Sequence, residues 1–254
     1  MDRTLEYGGK TVPIYRDRPL NVFSDVDFIW TDEENENRRR LEYLGGEFRT
    51  RYGIDVSSFQ GEIDWNAVAD DNIDFAMVRV GFRGTGTGSL NTDKYYEQNI
   101  RGAMRAGLET GVYFFAQAVT VEEAIEEADY VISLLDGLDI NGPVAYDWEM
   151  HDSTYRVYGT SPEMATACAV AFCQRIKDAG YTPMVYGGTY VTYMKYDQGA
   201  LADYLSWYPE YKSEKSEKLC PTLVYHMDYW QFSSTRAVAG INGRVDMNIQ
   251  FIRR

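Results

Sequence analysis

The sequence predicts an α/β fold, an irregular TIM-like barrel of about eight strands and five helices that follows an N-terminal extension. From Tyr52 onward, short apolar segments alternate with helical patterns, which is typical of a mostly parallel sheet covered by helices. The length of 254 residues suits one barrel with an appendage better than two independent domains. After Leu201 the helical patterns fade, so we expect the last third of the barrel to lack helices.

Eight segments have the character of barrel strands, because each is short, apolar and bounded by turn-forming or polar residues. In chain order these predicted strands cover residues 53–57, 75–81, 111–117, 143–149, 183–187, 205–208, 224–232 and 244–248. In a barrel of this kind, functional residues gather at the carboxyl ends of the strands. We therefore expect the site at that end.

Two of the helices have clear start signals. Thr120 and Glu123 have the spacing of a capping box, and the apolar residues after them recur on one helical face. Ser161 followed by Pro162 predicts the start of another helix, which we expect to run to Gly180.

Residues 1–50 differ in composition from the rest of the chain, with 11 acidic and 8 basic residues. We expect them to form a partly ordered N-terminal extension, while residues 51–254 form the barrel. The apolar parts of the extension are candidate strands or candidate contacts with the barrel, namely residues 11–15 and 21–23, Phe28, Trp30 and Leu41.

The charge of the chain argues against several classes of partner. The formal net charge of −14 repels phosphate backbones and anionic lipid surfaces, which makes nucleic acid a poor partner. An uncharged glycan meets no such repulsion. Aromatic residues make up 15% of the chain and include 21 Tyr, whose rings and hydroxyls suit sugars.

The counts of cysteine and histidine argue against a disulfide framework, a zinc site and a Ser-His-Asp triad. Cys168 and Cys173 point to different faces of a predicted helix, and the total of 3 Cys makes a disulfide framework improbable. With 2 His, the sequence favours neither a zinc site nor a Ser-His-Asp triad. We expect no metal and no cofactor. His151 near Glu149 fits a solvated loop or a role in tuning the site.

The start of the chain lacks the features of a membrane or export signal. Met1-Asp2-Arg3 is charged, and the apolar run of 18 or more residues that a membrane span needs is absent from the sequence. If the natural protein is secreted or anchored, we expect that its signal has been removed from this sequence.

Asp147 and Glu149 are the most informative residues, since they lie two positions apart at the end of an apolar run. In a strand, such neighbours share one face. Carboxylates held roughly 6 to 7 Å apart raise each other's pKa, so one stays protonated while the other is ionised. This pairing is typical of glycosidases.

The same pattern, an acid flanked by apolar residues, recurs at Asp55 and Asp246. Each acid alone also fits a turn former or a helix cap at a strand end. Taken together, Asp55, Asp246 and the Asp147–Glu149 pair predict carboxylates at the carboxyl ends of the first, fourth and last strands of the barrel.

Several motifs then carry a specific resemblance. They are Gly-Ile-Asp-Val-Ser-Ser-Phe-Gln-Gly at 53–61, Ile-Asp-Trp at 63–65, Asp-Trp-Glu at 147–149, Trp-Gln-Phe at 230–232 and Val-Asp-Met-Asn at 245–248. In this order and spacing the chain resembles the Chalaropsis-type lysozymes, family 25 of the glycoside hydrolases. The resemblance covers about residues 52–251.

This resemblance implies an N-acetylmuramidase that cleaves the β-1,4 bond between N-acetylmuramic acid and N-acetylglucosamine in peptidoglycan. Glu149 would be the general acid, kept neutral by its neighbours and by partial burial. Asp147 would hold the acetamido group of the substrate or stabilise positive charge at the sugar carbon. Asp55 and Asp246 would complete an acidic floor.

Four aromatic residues match positions that resemble the glycan cleft of the family, although each also fits the core: Tyr113, Phe115, Tyr186 and Trp207. Two departures are visible. Phe114 stands where family members often have histidine, and Glu210 stands where an alanine commonly precedes the final tyrosine. Both departures concern subsite preference more than catalysis.

Two rival functions remain open from the sequence: a catalytically weak cell-wall glycan-binding protein, and a chitinase-like β-N-acetylglucosaminidase. Retaining and inverting outcomes are also both open, with substrate-assisted retention preferred. As partner we expect peptidoglycan glycan strands, and we expect an extracellular or cell-wall-associated monomer.

Overall fold

The computed structural model describes residues 3–31 and 34–254, so Met1, Asp2, Asp32 and Glu33 lie outside the described residues. In chain order the strands of this described part are β1 (Arg3–Tyr7), β2 (Lys10–Ile14), β3 (Phe28–Trp30), β4 (Leu41–Tyr43), β5 (Phe48–Val56), β6 (Phe75–Arg83), β7 (Leu90–Thr92), β8 (Glu109–Ala116), β9 (Val144–Trp148), β10 (Pro183–Tyr186), β11 (Leu205–Pro209), β12 (Tyr229–Arg236) and β13 (Val245–Arg253). The helices are α1 (Trp65–Asp70), α2 (Tyr96–Arg105), α3 (Val121–Leu134), α4 (Pro162–Asp178) and α5 (Thr189–Met194).

Eight of the described strands close into a barrel, in the order β5, β6, β8, β9, β10, β11, β12 and β13, with β13 paired back to β5. All pairs from β5 to β12 are parallel. The strand β7 extends the sheet beside β6. Together with the five helices of the described chain, this confirms the predicted irregular α/β barrel.

The last strand corrects one detail of the prediction. Strand β13 runs antiparallel to both β12 and β5. Asp246 is the second residue of β13, so the expectation that it ends its strand was wrong. Because an antiparallel strand starts where its parallel neighbours end, Asp246 still lies at the same mouth of the barrel as Asp55.

One predicted strand begins later than expected. The prediction covered residues 224–232, but β12 starts at Tyr229. The preceding segment pairs with the N-terminal residues instead, through an isolated bridge between Leu20 and Tyr225 and a bond from His226 N to the Pro19 carbonyl of 2.9 Å. The main-chain groups of 224–226 are therefore used by the N-terminal segment.

Ser161 and Thr120 both cap the helices that they were predicted to start. The Ser161 hydroxyl accepts a bond from Met164 N, and Pro162 occupies the first turn of α4. The Thr120 hydroxyl accepts from Glu123 N at 3.3 Å, whereas the Glu123 carboxylate binds Val119 N at 2.8 Å. The predicted capping box is thus shifted by one residue in its second bond.

The N-terminal segment makes two small sheets, β1 with β2 and β3 with β4. Residues 21–23, a candidate strand, do not form one, and the Asn21 side chain donates to the carbonyls of Pro221 and Leu223 at 2.9 and 2.8 Å. Phe28 and Leu41 are buried in the same hydrophobic cluster as the barrel strands. The division into an extension and a barrel stays a prediction.

The interior of the barrel is filled mainly by aromatic and sulfur-containing side chains. This inner cluster is separate from the larger cluster between strands and helices, and it consists of Phe75, Met77, Ala145, Met184, Tyr186, Trp207 and Tyr229. At the mouth of the barrel this cluster lies beside the carboxylates, since Tyr186 is the sheet partner of Asp147. The packed interior therefore supports the floor of the site.

Two further features concern the described residues as a whole. Cys168, Cys173 and Cys220 are buried free thiols. Within 3–31 and 34–254, no helix combines the length and the apolar character that crossing a membrane requires.

Candidate active site

The four predicted carboxylates meet at one mouth of the barrel. Asp55 is the second-to-last residue of β5, and Asp147 is the second-to-last residue of β9. Glu149 is the first residue after β9. Asp246 is the direct sheet partner of Asp55. All four line one cavity of about 230 Å³.

The four predicted aromatic residues line the same cavity. Tyr113 and Phe115 come from β8, Tyr186 from β10 and Trp207 from β11. Phe115, Asp147, Tyr186 and Trp207 are successive neighbours across the sheet, which places them on one level. All eight predicted site residues are thus brought together, while their individual roles stay predictions.

Asp55 is held by two side-chain amides. Gln231 Nε2 donates to its Oδ2 at 2.9 Å, and Asn248 Nδ2 donates to the same atom at 2.8 Å. Trp207 Nε1 in turn donates to Asn248 Oδ1 at 2.8 Å, and the Tyr186 hydroxyl donates to Gln231 Oε1 at 3.1 Å. This chain of donors fixes the orientation of both amides and of the carboxyl they bind.

The pKa values of Asp55 and Asp246 are both raised above the usual range of an aspartate. Burial raises the pKa of Asp55 to about 6, although the Asn248 and Gln231 amides act in the opposite direction. Burial, then the charge of Asp55 and a hydrogen bond to it, raises the pKa of Asp246 to about 8. The two carboxyl groups lie within hydrogen-bonding reach and hold a proton between them over the neutral range.

Asp147 lies deeper than Glu149. Burial, followed by the charge of Glu149, raises the pKa of Asp147 well above its usual range. Its Oδ1 is buried and has no hydrogen-bond partner within the described chain. The carboxyl groups of Asp147 and Glu149 are also within hydrogen-bonding reach of each other. A protonated Asp147 that donates to Glu149 satisfies this arrangement.

Glu149 is the carboxylate of this pair that reaches solvent, with its side chain 25% exposed. Its Oε2 lies 2.7 Å from His151 Nε2, and the His151 ring is mostly exposed. The histidine therefore contacts the acid from an exposed position in a loop, and a role in tuning the site stays a prediction.

A second, larger cavity of about 700 Å³ adjoins the acidic one. Glu149, Tyr186 and Tyr211 line both cavities. The larger cavity is otherwise bordered by the loop after β9 and by α5, through residues such as His151, Tyr158 and Tyr190. Glu149 thus lies where a chain-like ligand would pass from one cavity to the other.

Sequence reasoning did not select several residues of the site. Gln231 and Asn248 were inside quoted motifs, but nothing marked them as the amides that orient Asp55. Tyr211 also donates to Gln231 Oε1 at 3.1 Å. A signal was present, because a polar residue in an apolar strand, such as Gln231, faces the interior when its alternate neighbours do.

Arg79 brings a cation into the acidic cavity and was also not selected. Its Nε and Nη2 bind Asp93 Oδ2 at 3.0 and 2.8 Å, and its guanidinium lies 5.1 Å from the Phe59 ring. The charge of Arg79 acts on Asp147 against the raised pKa. Phe59 itself is 85% exposed at the cavity rim.

The family comparison agrees with this geometry. The model of "Glycosyl hydrolases family 25" matches residues 54–241, which includes Asp55, Asp147 and Glu149. Asp246 lies five residues beyond the matched range.

Two curated relatives are lysozymes. The chain is 26% identical over 197 residues to the autolytic lysozyme of Clostridium acetobutylicum, which covers 77% of this chain and 54% of that protein. It is 27% identical over 201 residues to lysozyme M1 of Streptomyces globisporus, covering 77% of this chain and 66% of the relative. The chain thus spans about half the length of the Clostridium protein.

Two solved structures of related proteins superpose on this chain. The bacterial lysozyme of Streptomyces coelicolor superposes with a TM-score of 0.63 at 26% identity, covering 78% of this chain and 90% of that one. The modular autolysin LytC of Streptococcus pneumoniae, solved with a synthetic peptidoglycan ligand, superposes with a TM-score of 0.64 at 25% identity, covering 87% and 51%.

Proposed function

The chain belongs to family 25 of the glycosyl hydrolases, and we propose that it is a peptidoglycan hydrolase of the lysozyme type. The bond cleaved is the β-1,4 bond between N-acetylmuramic acid and N-acetylglucosamine. The observation that carries this proposal is the Asp147–Glu149 pair, with one carboxyl buried and the other exposed at the junction of two cavities.

Glu149 acts as the general acid in this proposal. Its carboxyl is the one that a glycosidic oxygen reaches from the cavities, and it shares a proton with Asp147 behind it. Donation of that proton to the departing oxygen lets the bond to the sugar carbon break without forming an alkoxide. Since Asp147 is buried, it holds the proton in reserve while Glu149 delivers it.

Asp147 has a second part in the mechanism. As the C–O bond breaks, positive charge grows at the sugar carbon, and an ionised Asp147 stabilises it or orients the acetamido group of the substrate. The nearby Arg79 charge favours the ionised form of Asp147. Burial and the charge of Arg79 therefore act in opposite directions on the pKa of Asp147.

We propose a retaining outcome by the substrate-assisted route. The acetamido oxygen of the substrate attacks the sugar carbon as the bond to the departing oxygen breaks, and water then opens the resulting intermediate with retention. Asp147 lines the same cavity as Glu149 and orients the acetamido group for this attack.

A time course of proton NMR spectra on a soluble muropeptide tests this stereochemistry. Retention predicts that the first product has the β configuration at its new reducing end. First product with the inverted configuration would exclude the acetamido route.

The acidic floor and the aromatic residues serve the substrate. Asp55 and Asp246 keep a proton between them, which limits the negative charge beneath Asp147. The cleft residues proposed to contact sugar rings are Tyr113, Phe115, Tyr186 and Trp207, together with Phe59 and Tyr211 at the rim. Aromatic faces of this kind pack against the apolar faces of sugars.

The partner we propose is the glycan strand of peptidoglycan, in keeping with the peptidoglycan ligand of the LytC autolysin. Residues 51–254 form the catalytic barrel, and residues 1–50 form the extension. We also propose that the protein works as a monomer outside the cell or on the cell wall.

Loss of turbidity of purified cell walls tests the function. Wild-type protein clears the walls, and Glu149→Gln binds them without clearing. If wild-type protein also binds without clearing, the chain is a glycan-binding protein instead of a hydrolase.

A further inference from the structure

Gln117 holds the main chain of Glu149. Strands β8 and β9 pair in parallel up to Ala116 and Trp148, so Gln117 and Glu149 are the next residues on each strand. Gln117 is fully buried, and its Nε2 donates to the Glu149 carbonyl at 2.8 Å. The point at which the chain leaves the barrel with Glu149 is therefore set by the Gln117 side chain.

A buried ion pair fixes Gln117 in turn. Its main-chain N donates to Glu127 Oε1 at 3.1 Å, and Arg83 Nε donates to the same oxygen at 2.7 Å. The Glu127 and Arg83 side chains are both almost inaccessible to solvent. Burial raises the pKa of Glu127 to about 7, with Arg83 acting in the opposite direction. The support for Gln117 is thus desolvated and rigid.

The other end of the loop is fixed to the same residue. The segment 149–160 runs through turns and bends between β9 and α4. Near its end, Arg156 Nη1 donates to the Gln117 carbonyl at 3.0 Å, and its guanidinium binds both Glu123 oxygens at 2.9 and 2.8 Å. Gln117 therefore anchors both the start and the end of the wall of the larger cavity.

This arrangement leaves polar atoms without partners. Within the part of the chain that the structure describes, Gln117 Oε1, Glu127 Oε2 and the Tyr146 hydroxyl are buried and lack hydrogen bonds. Such groups weaken a fold, and an apolar packing of similar volume is often at least as stable as a buried ion pair. Stability alone therefore does not account for the cluster.

We propose that Gln117 is a positioning residue, which holds Glu149 at the distance from Asp147 and from the substrate that proton transfer requires. The proposal rests on the function proposed above. Displacement of an acid by an ångström is enough to slow a reaction about 100-fold. A rigid clamp on the Glu149 main chain prevents such a displacement.

Gln117→Met tests the proposal, because methionine has a similar length and does not donate to the Glu149 carbonyl. We expect kcat to fall about 10- to 100-fold with KM changed by less than about twofold. The pH–rate profile should shift, and amide hydrogen exchange in 149–160 should become faster. The matched control is Asn99→Leu on α2, since Asn99 is also buried with both side-chain polar atoms unpartnered among the described residues. It should leave kcat and the pH profile unchanged.

Arg156→Lys gives a second measurement if Gln117→Met does not fold. Lysine keeps the charge but loses the two-pronged contact with Glu123, so exchange in 149–160 should rise and kcat should fall. Unchanged kcat and pH profile in the folded variants, even with a lowered Tm or faster exchange, would overturn the positioning role. Wild-type protein that clears no wall would instead overturn the proposed function.

Discussion

Asp55 and Asp246 face each other across the pair of strands that closes the barrel, and their carboxyl groups share a hydrogen bond. Two carboxylates in this position cannot both be ionised at low cost. The contact therefore couples the closure of the barrel to the protonation state of the site.

This coupling predicts how stability depends on pH. Both pKa values are raised in the folded protein, to about 6 for Asp55 and about 8 for Asp246. The folded state then binds more protons than the unfolded state between about pH 4 and pH 8. The stabilising contribution of the pair is complete below about pH 4 and is lost as the pH rises to about 8.

Asp246→Asn should remove much of the stability loss that the wild-type protein shows as the pH rises to about 8. At pH 8 we expect its Tm to exceed the wild-type Tm by roughly 3 °C or more, since about 1 kcal/mol shifts the Tm of a protein of this size by 2–4 °C. The difference should shrink towards zero near pH 4, where the wild-type carboxyls are protonated. A difference that does not depend on pH would contradict the shared proton.

Glu149→Gln should abolish most of the hydrolysis. Loss of a general acid lowers kcat by about 10²- to 10⁴-fold, while the glycan still binds. Reducing ends released from purified walls measure the rate, and sedimentation of protein with the walls measures binding. Glu97→Gln on the exposed face of α2 is the matched control and should retain full activity. Comparable rates for the two variants would remove Glu149 from the chemistry.

Phe59→Ala should weaken substrate binding without affecting the fold. The ring is 85% exposed at the cavity rim, so its removal costs little stability, whereas it offers a face for a sugar ring. We expect KM to rise about 3- to 10-fold, which corresponds to the roughly 0.5–1.5 kcal/mol of an aromatic contact. Phe59→Tyr should keep the wild-type KM, and an unchanged KM in Phe59→Ala would place the glycan elsewhere.

Phe28→Ala should destabilise the protein. The Phe28 ring is buried in the main core and lies 5.4 Å from the Trp230 ring of β12. Replacing a buried phenylalanine by alanine costs about 3–5 kcal/mol, which urea unfolding would detect. Val26→Ala nearby is the control, because Val26 is 83% exposed. Equal stability of both variants would mean that residues 1–50 act as a spacer.

The strands and helices of the barrel were predictable because each is bounded by local signals. The apolar runs ending at Val56 and Trp148, and the Ser161–Pro162 start of α4, depend on neighbours in the sequence alone. The direction of β13 was not predictable in this way. Whether a strand is parallel or antiparallel depends on which strand it meets, and β13 closes the barrel between β12 and β5.

The carboxylates were predictable because acids in apolar strands are rare and therefore informative. The contacts that orient them were not. Gln231 reaches Asp55 across 176 positions of the chain, and Gln117 reaches Glu149 across 32. A polar residue such as Gln231 in an apolar strand is visible in the sequence, but the carboxyl that it binds follows from the closure of the barrel. In the same way, Phe28 was a candidate contact with the barrel, but its packing against Trp230 depends on the folded chain.

Mass spectrometry of the reducing ends released from purified peptidoglycan identifies the bond that this site cleaves. We expect N-acetylmuramic acid at the new reducing ends with wild-type protein and a trace of product with Glu149→Gln. N-acetylglucosamine at the new reducing ends would contradict the proposed cleavage site and would identify a β-N-acetylglucosaminidase instead.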